Sequence, residues 1–351
     1  MKTLAILTSG GDAPGMNTAI AAATKVAVSE GWSVLGVENG YDGLIDGRFR
    51  HLRPSRVDDH WTHGGTFLGS ARSDRFLTPE GRQQAARNLV GVDGLLVIGG
   101  NGSLAGAHAL HEETGAPVIG IPASIDNDIA CTSTAIGVDT ALNTIVEACD
   151  RISDTARSHR RVFIIEVMGR ECGYLAMNAA IASAADAVIF REQGKHVEQL
   201  VDELRHIIRR SFAASRGKRR VLIVKAEGVE VSTEQLGTRL GETLEEDAPG
   251  VALRVIVLGH LVRGGHPSFR DRMLAGRLAH AGVRAAIDKQ FGVMCGWKPE
   301  HGGGIITKDP YVTLFRFADV LEQTRHLLDG DHPTTKRRVR MLERVQGILP
   351  I

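Results

Sequence analysis

The chain has 351 residues, of which 43% are hydrophobic and 24% charged, a composition that excludes disordered, collagen-like and membrane-spanning classes and allows a sizeable core. With 42 Lys and Arg against 41 Asp and Glu the formal charge is +1, so no global field favours nucleic acid or a membrane surface as partner. The four cysteines, Cys131, Cys149, Cys172 and Cys295, form no Cys-x-x-Cys pair, which argues against a zinc site or disulfide framework and for buried thiols in a reducing, cytoplasmic setting.

Residues 4–8 read as a short buried strand that runs at once into Ser9-Gly10-Gly11, too short a run for a signal peptide or a membrane span. The turn Ser9-Gly10-Gly11-Asp12-Ala13-Pro14-Gly15-Met16-Asn17 then leads into a helical pattern over residues 18–28. Such a glycine-rich strand-to-helix turn suits a phosphate, since backbone N–H groups approach closely and face an anion. It is neither a Walker A sequence nor a dinucleotide fingerprint. Further strands are expected at residues 34–37 and 95–98, and a second such turn, Ile98-Gly99-Gly100-Asn101-Gly102-Ser103, leads into a helix over 104–111. A strand at 117–121 ends in Pro122-Ala123-Ser124-Ile125-Asp126-Asn127-Asp128. That loop gathers two carboxylates, an amide and a hydroxyl where ligands of open α/β sheets collect. An Asp there can take the proton of a sugar hydroxyl as it attacks a phosphoryl group.

Helical stretches at 139–157 and 197–214 alternate with strands at 161–167, 187–190, 220–225 and 253–258, which is the βαβ pattern of parallel sheets. No internal repeat or low-complexity linker separates two halves. Beyond Pro333, Lys336, Arg337, Arg338, Arg340 and Arg344 read as a solvated basic helix face.

Taken together, the ordered segments Leu7-Thr8-Ser9-Gly10-Gly11-Asp12-Ala13-Pro14-Gly15-Met16-Asn17, Gly64-Gly65-Thr66-Phe67-Leu68-Gly69-Ser70-Ala71-Arg72, Ile125-Asp126-Asn127-Asp128, Glu166-Val167-Met168-Gly169-Arg170 and Leu258-Gly259-His260-Leu261-Val262-Arg263-Gly264-Gly265 resemble the bacterial ATP-dependent 6-phosphofructokinase family over roughly residues 1–320. The resemblance implies an α/β fold of two Rossmann-like three-layer domains with largely parallel sheets and an active-site cleft between them. It divides the chain into a larger nucleotide-binding domain (1–137 plus about 256–306), a smaller sugar-phosphate domain (about 138–255 plus 307–325) and a basic extension (about 326–351). It implies transfer of phosphate from ATP, with Mg²⁺, to fructose 6-phosphate in the cytoplasm, by a homotetramer whose subunits share active sites.

By the same resemblance, Asp126 is the general base, and Ser124 and Arg170 serve the phosphoryl group in transfer. Asp128, Arg161, Met168, Gly169, Glu227, Arg254, His260 and Arg263 bind the sugar phosphate. Gly11, Tyr41, Arg72, Gly102, Ser103 and Gly106 line the nucleotide pocket, and Gly102 with Ala123 favours ATP over pyrophosphate. Asn101 stands where the family has an Asp that helps to hold Mg²⁺. The alternatives are a pyrophosphate-dependent or other ketose-phosphate kinase, or a weakened regulatory subunit. At the family's effector site, Ala21, Lys25, Pro54 and Ser153 replace mostly Arg, while Asp59, Asp186 and Lys218 keep their charge character, which implies a weak response to ADP or phosphoenolpyruvate.

Overall fold

The computed structural model describes residues 1–213, 218–298 and 303–346, with side chains as far as residue 340. In chain order the elements are β1 (Thr3–Ser9), α1 (Met16–Ser29), β2 (Ser33–Val37), α2 (Gly40–Asp46), β3 (Phe49–Leu52), α3 (Pro54–Val57), α4 (Pro79–Asn88), β4 (Gly94–Gly99), α5 (Asn101–Thr114), β5 (Val118–Pro122) and α6 (Val138–His159). They continue with β6 (Arg161–Val167), α7 (Tyr174–Ala182), β7 (Ala187–Ile189), α8 (Val197–Phe212), β8 (Arg220–Ala226), α9 (Thr233–Asp247), β9 (Ala252–Val257), α10 (Phe269–Ile287), β10 (Val293–Trp297), β11 (Ile305–Ile306), β12 (Val312–Arg316), α11 (Phe317–Leu328) and α12 (Pro333–Gln346). Helix α8 ends at Phe212, and Ala214, to which the sequence pattern extended it, lies outside the described residues.

The chain forms two compact units, the first from residues 1–140 and 263–326, the second from 141–262 and from 327 onward. In the first unit the sheet order is β11-β12-β10-β5-β4-β1-β2-β3. Strands β10, β5, β4, β1 and β2 pair in parallel, while β3, β12 and β11 are antiparallel additions at the edges. The path from β1 to β2 runs one way along the sheet and that from β4 to β5 the other. Right-handed crossovers therefore put α1 and α5 on opposite faces. The order reverses between β1 and β4, the switch point where such sheets bind ligands at their carboxyl ends. Both strands are apolar along their length because both faces are covered: residues 4–7 and 95–98 are fully buried.

In the second unit the order is β7-β8-β6-β9, all parallel. Val162, Ile164, Val221 and Ile223 alternate onto one face and join Leu200, Leu204 and Ile208 of α8 and Leu236, Leu240 and Leu244 of α9 in a single core.

Several boundaries differ from the sequence expectation: residues 138–140 fall in the first unit and residues 256–262 in the second. Residues 307–325 lie in the first unit, because β12 hydrogen-bonds to β10 from Val293 opposite Arg316 to Trp297 opposite Val312. The basic extension belongs to the second unit. Its Arg338 guanidinium lies 4.6 Å from the Tyr174 ring centroid, so one residue of the expected solvated face is instead stacked. The side chain of Arg344 lies outside those described.

Candidate active site

Three loops leave the carboxyl ends of neighbouring strands β1, β4 and β5 in the first unit. The first is a tight turn. Gly15, which caps α1, has φ of 112°, and a Cβ there would stand 2.7 Å from Ile136 Cγ2, so both backbone conformation and space require glycine. Residues 63–72 are fastened over this turn by polar groups whose role the sequence reading had not identified. Asn17, 2% exposed, donates to the carbonyls of His63 and Gly64 at 3.1 Å each, and its Oδ1 accepts the Phe67 N–H at 2.8 Å. The Thr8 hydroxyl meets that of Thr66 at 2.8 Å and donates to the Gly69 carbonyl at 2.9 Å. Arg72, which ends this segment, is exposed, and so is Gly11 of the turn, against which lies the Arg263 guanidinium that donates to the Asp12 carbonyl at 3.0 Å.

The second loop opens helix α5. Gly102 is exposed, and outside the backbone of its own helix and its chain neighbours no atom lies within 4 Å of where its Cβ would stand. Ser103 is buried, and its carbonyl accepts the Tyr41 hydroxyl at 2.6 Å. Tyr41 is itself buried, stacked on Phe76 with ring centroids 3.8 Å apart, and Gly106 fits against both rings. Burial pushes the Tyr41 phenol well above its ordinary range. Tyr41 thus supports this turn from beneath, with its hydroxyl committed to Ser103.

The third loop carries the carboxylates. Asn127 has φ of 51° and is buried, its amide donating to the Ser133 carbonyl at 3.1 Å and its Oδ1 accepting the Ala135 N–H at 3.1 Å. That fixes the loop between Asp126 and Asp128. Asp128 accepts the Ser124 hydroxyl on one carboxylate oxygen at 3.1 Å and the Asn101 amide on the other at 2.6 Å. The same amide also donates to the Asp128 carbonyl at 3.2 Å. Asp126 is half-buried, with its Oδ1 fully covered. The second and third loops are therefore one hydrogen-bonded assembly.

This assembly does not provide a resident Mg²⁺ site. A hard cation takes oxygen ligands, carboxylates above all. Asn101 turns its amide nitrogen toward Asp128, where a metal-bridging ligand would present oxygen. Among the described residues no group of three His, Cys, Asp or Glu could hold a metal ion.

In the second unit Met168, Gly169 and Arg170 follow β6, Glu227 follows β8 and His260 follows β9, whereas Arg161 is the first residue of β6 and Arg254 lies within β9. The Glu227 N–H donates to the Val167 carbonyl at 2.9 Å, joining the loops after β8 and β6. Close approach decides the next residue. A Cβ on Gly228 would stand 1.8 Å from the Arg170 carbonyl oxygen, so the Met168-Gly169-Arg170 loop lies directly on it. Met168 and Gly169 are buried, Arg161 and Glu227 half-buried, and Arg170, Arg254 and His260 exposed. Beneath these loops lie two residues whose pairing the sequence reading missed, Glu166 and Lys225, whose side chains meet at 3.2 Å. The signal was present: Lys225 interrupts the apolar run of residues 221–226.

Residues 3–286 match the phosphofructokinase family model. The chain belongs to the phosphofructokinase family. The ATP-dependent 6-phosphofructokinase 2 of Bacteroides thetaiotaomicron is 45% identical over 298 residues, covering 84% of this chain and 89% of that protein. The ATP-dependent 6-phosphofructokinase of Macrococcus caseolyticus is 43% identical over 329 residues, covering 93% and 96%. Among solved structures, phosphofructokinase from Saccharomyces cerevisiae superposes with a TM-score of 0.84 at 31% identity over 97% of this chain, which spans about half (48%) of the yeast chain.

Most of the positions expected from the resemblance to form an effector site are internally satisfied or buried here. In the first unit Ala21 is fully buried and Lys25 pairs with Asp58. In the second, Ser153 is buried, and Lys218 pairs with Asp186, whose other oxygen accepts the Leu222 N–H at 2.8 Å.

Proposed function

We propose that this chain transfers the γ-phosphoryl group of ATP to the 1-hydroxyl of fructose 6-phosphate, with Asp126 as general base. The observation that carries the reading is the loop after β5. Asp126 stands at the switch-point end of the sheet, in a segment that Asn127 pins and that Ser124, Asp128 and Asn101 brace. Asp126 takes the hydroxyl proton as the sugar oxygen attacks. The new oxygen–phosphorus bond forms, the bond to the β-phosphate oxygen breaks, and ADP leaves. Arg72, Ser124 and Arg170 offset the charge that spreads over the phosphoryl oxygens. His260 and Arg263, together with Arg161 and Arg254 reaching in from a neighbouring subunit, bind the sugar's own phosphate, for which planar guanidinium groups are well shaped. Met168, Gly169, Glu227 and Asp128 contact the sugar.

Gly11, Gly102, Ser103 and Gly106 receive the nucleotide. The open space at Gly102 and the small, buried Ala123 leave room for an α-phosphate, which favours ATP over pyrophosphate. Mg²⁺ enters as the complex with the nucleotide's phosphates. Among the described residues no helix is long and apolar enough to cross a membrane, and with free cysteines throughout we place the enzyme in the cytoplasm, as a homotetramer.

A coupled assay tests this. We expect turnover with ATP and none with pyrophosphate, and a loss of about 10²–10⁴ in kcat for Asp126→Ala, the usual worth of a positioned base. Turnover with pyrophosphate alone, or an unchanged rate in Asp126→Ala, overturns it.

A further inference from the structure

Strand β8 places Lys225 on the same face as Val221 and Ile223, which pack beneath α8 and α9. An apolar residue belongs there by that pattern. Instead Lys225 has no exposed surface and is among the largest fully buried side chains of the described residues. Its ammonium donates to Glu166 Oε2 and to the Ala226 carbonyl, each at 3.2 Å. Glu166 lies beside it in the parallel register of β6 and β8, and the same Oε2 accepts the hydroxyl of Thr233, the first residue of α9.

The clamp sits immediately before both loops of interest. Ala226 precedes Glu227, whose N–H bonds to Val167, and Glu166 with Val167 precedes Met168-Gly169-Arg170. The Glu166 carbonyl also accepts the Leu258 N–H at 3.0 Å, so the end of β9 joins the same assembly. A buried ion pair is a poor source of stability, because well-packed apolar residues of like volume serve as well or better. What it supplies is direction: a charged hydrogen bond fixes which atoms meet, whereas apolar contact does not.

We infer that Lys225 is a positioning residue for the sugar phosphate. Paired with Glu166, it locks the carboxyl ends of β6 and β8 so that the Met168–Arg170 and Glu227–Gly228 loops are held in their ligand-ready conformation. This rests on the proposed function for the identity of the ligand, and the measurements separate the two.

The variants are Lys225→Met, which keeps length and removes charge, and Lys225→Met with Glu166→Gln, which removes the unpaired carboxylate. Both are compared with wild type by urea unfolding, steady-state kinetics and hydrogen exchange. In Lys225→Met the KM for fructose 6-phosphate rises tenfold or more while the KM for ATP stays within twofold, and amides of residues 167–172 and 226–230 exchange faster. The double variant regains the urea midpoint but not the KM. A double variant that recovers both would show a merely structural pair and overturn the inference. So would unchanged exchange in those two loops, a readout that holds whichever sugar phosphate the enzyme uses. Should wild type turn over no fructose 6-phosphate, the proposed function fails, and hydrogen exchange alone decides the positioning role. Should Lys225→Met fail to fold, the double variant's KM and exchange decide it.

Discussion

Replacing Asn101 by Asp restores the family's residue and should nevertheless destabilise the protein without a divalent cation. Asn101 Nδ2 stands 2.6 Å from Asp128 Oδ2. Changing the amide to a carboxylate turns a charge-assisted hydrogen bond into a repulsion of about 6 kcal/mol gross at an effective dielectric constant of about 20. Side-chain rotation and proton uptake relieve most of this. What remains is the cost of an acceptor that has lost its donor, about 1–3 kcal/mol. For a chain of this size that corresponds to roughly 1–4 °C in Tm. A divalent cation reverses the sign, since two carboxylates at this spacing make the oxygen-rich site the amide denies it. Thermal melts of wild type and Asn101→Asp, each in chelator and in excess Mg²⁺, provide the assay. The variant should melt lower in chelator and recover in Mg²⁺, with wild type indifferent to the metal. Because like charges raise one of the pair's carboxyls, the variant's deficit in chelator should shrink as pH falls toward the carboxylate range. Equal melting in chelator, or an equal gain from Mg²⁺ in both proteins, refutes the reasoning.

Asp271 accepts the Gly137 and Thr140 N–H groups at 2.9 and 2.8 Å and the Thr140 hydroxyl at 2.6 Å, at the start of α6. Burial, the largest influence, holds its carboxyl above the ordinary value despite these donors. The folded state therefore binds the proton more readily than the unfolded one, so this group's contribution to stability falls as pH rises from the ordinary carboxylate value to the raised one; Asp271→Asn should remove that component of the urea-unfolding profile. Gly15→Ala forces an L side chain to φ of 112° and 2.7 Å from Ile136, and should cost about 1–3 kcal/mol in urea unfolding. ADP and phosphoenolpyruvate, titrated into the steady-state assay, should change the rate little, since Lys25 and Lys218 are already paired and Ala21 is buried; strong activation or inhibition would count against this.

The sequence by itself determined most of the parallel strands, though not Val293–Trp297, and the glycine turns, because backbone geometry and burial on both faces act locally. Residues 4–8, 95–98 and 117–121 could hardly be anything but buried strands, and the polar loop from Ser124 to Asp128 had to emerge at a strand end. The antiparallel strands Phe49–Leu52 and Val312–Arg316 were not legible in this way. They are short, and the pairing that creates them joins distant residues, which is also why residues 307–325 lie in the first unit. Three of the polar interactions were likewise decided only by tertiary structure. The fastening of residues 63–67 by Asn17, the bridge from Asn101 to Asp128 and the burial of Lys225 against Glu166 each depend on two side chains meeting across separate loops or strands. Residue types alone suggested at Asn101 a weak metal ligand. Only the fold, by placing α5 beside the loop after β5, made it the donor that holds Asp128.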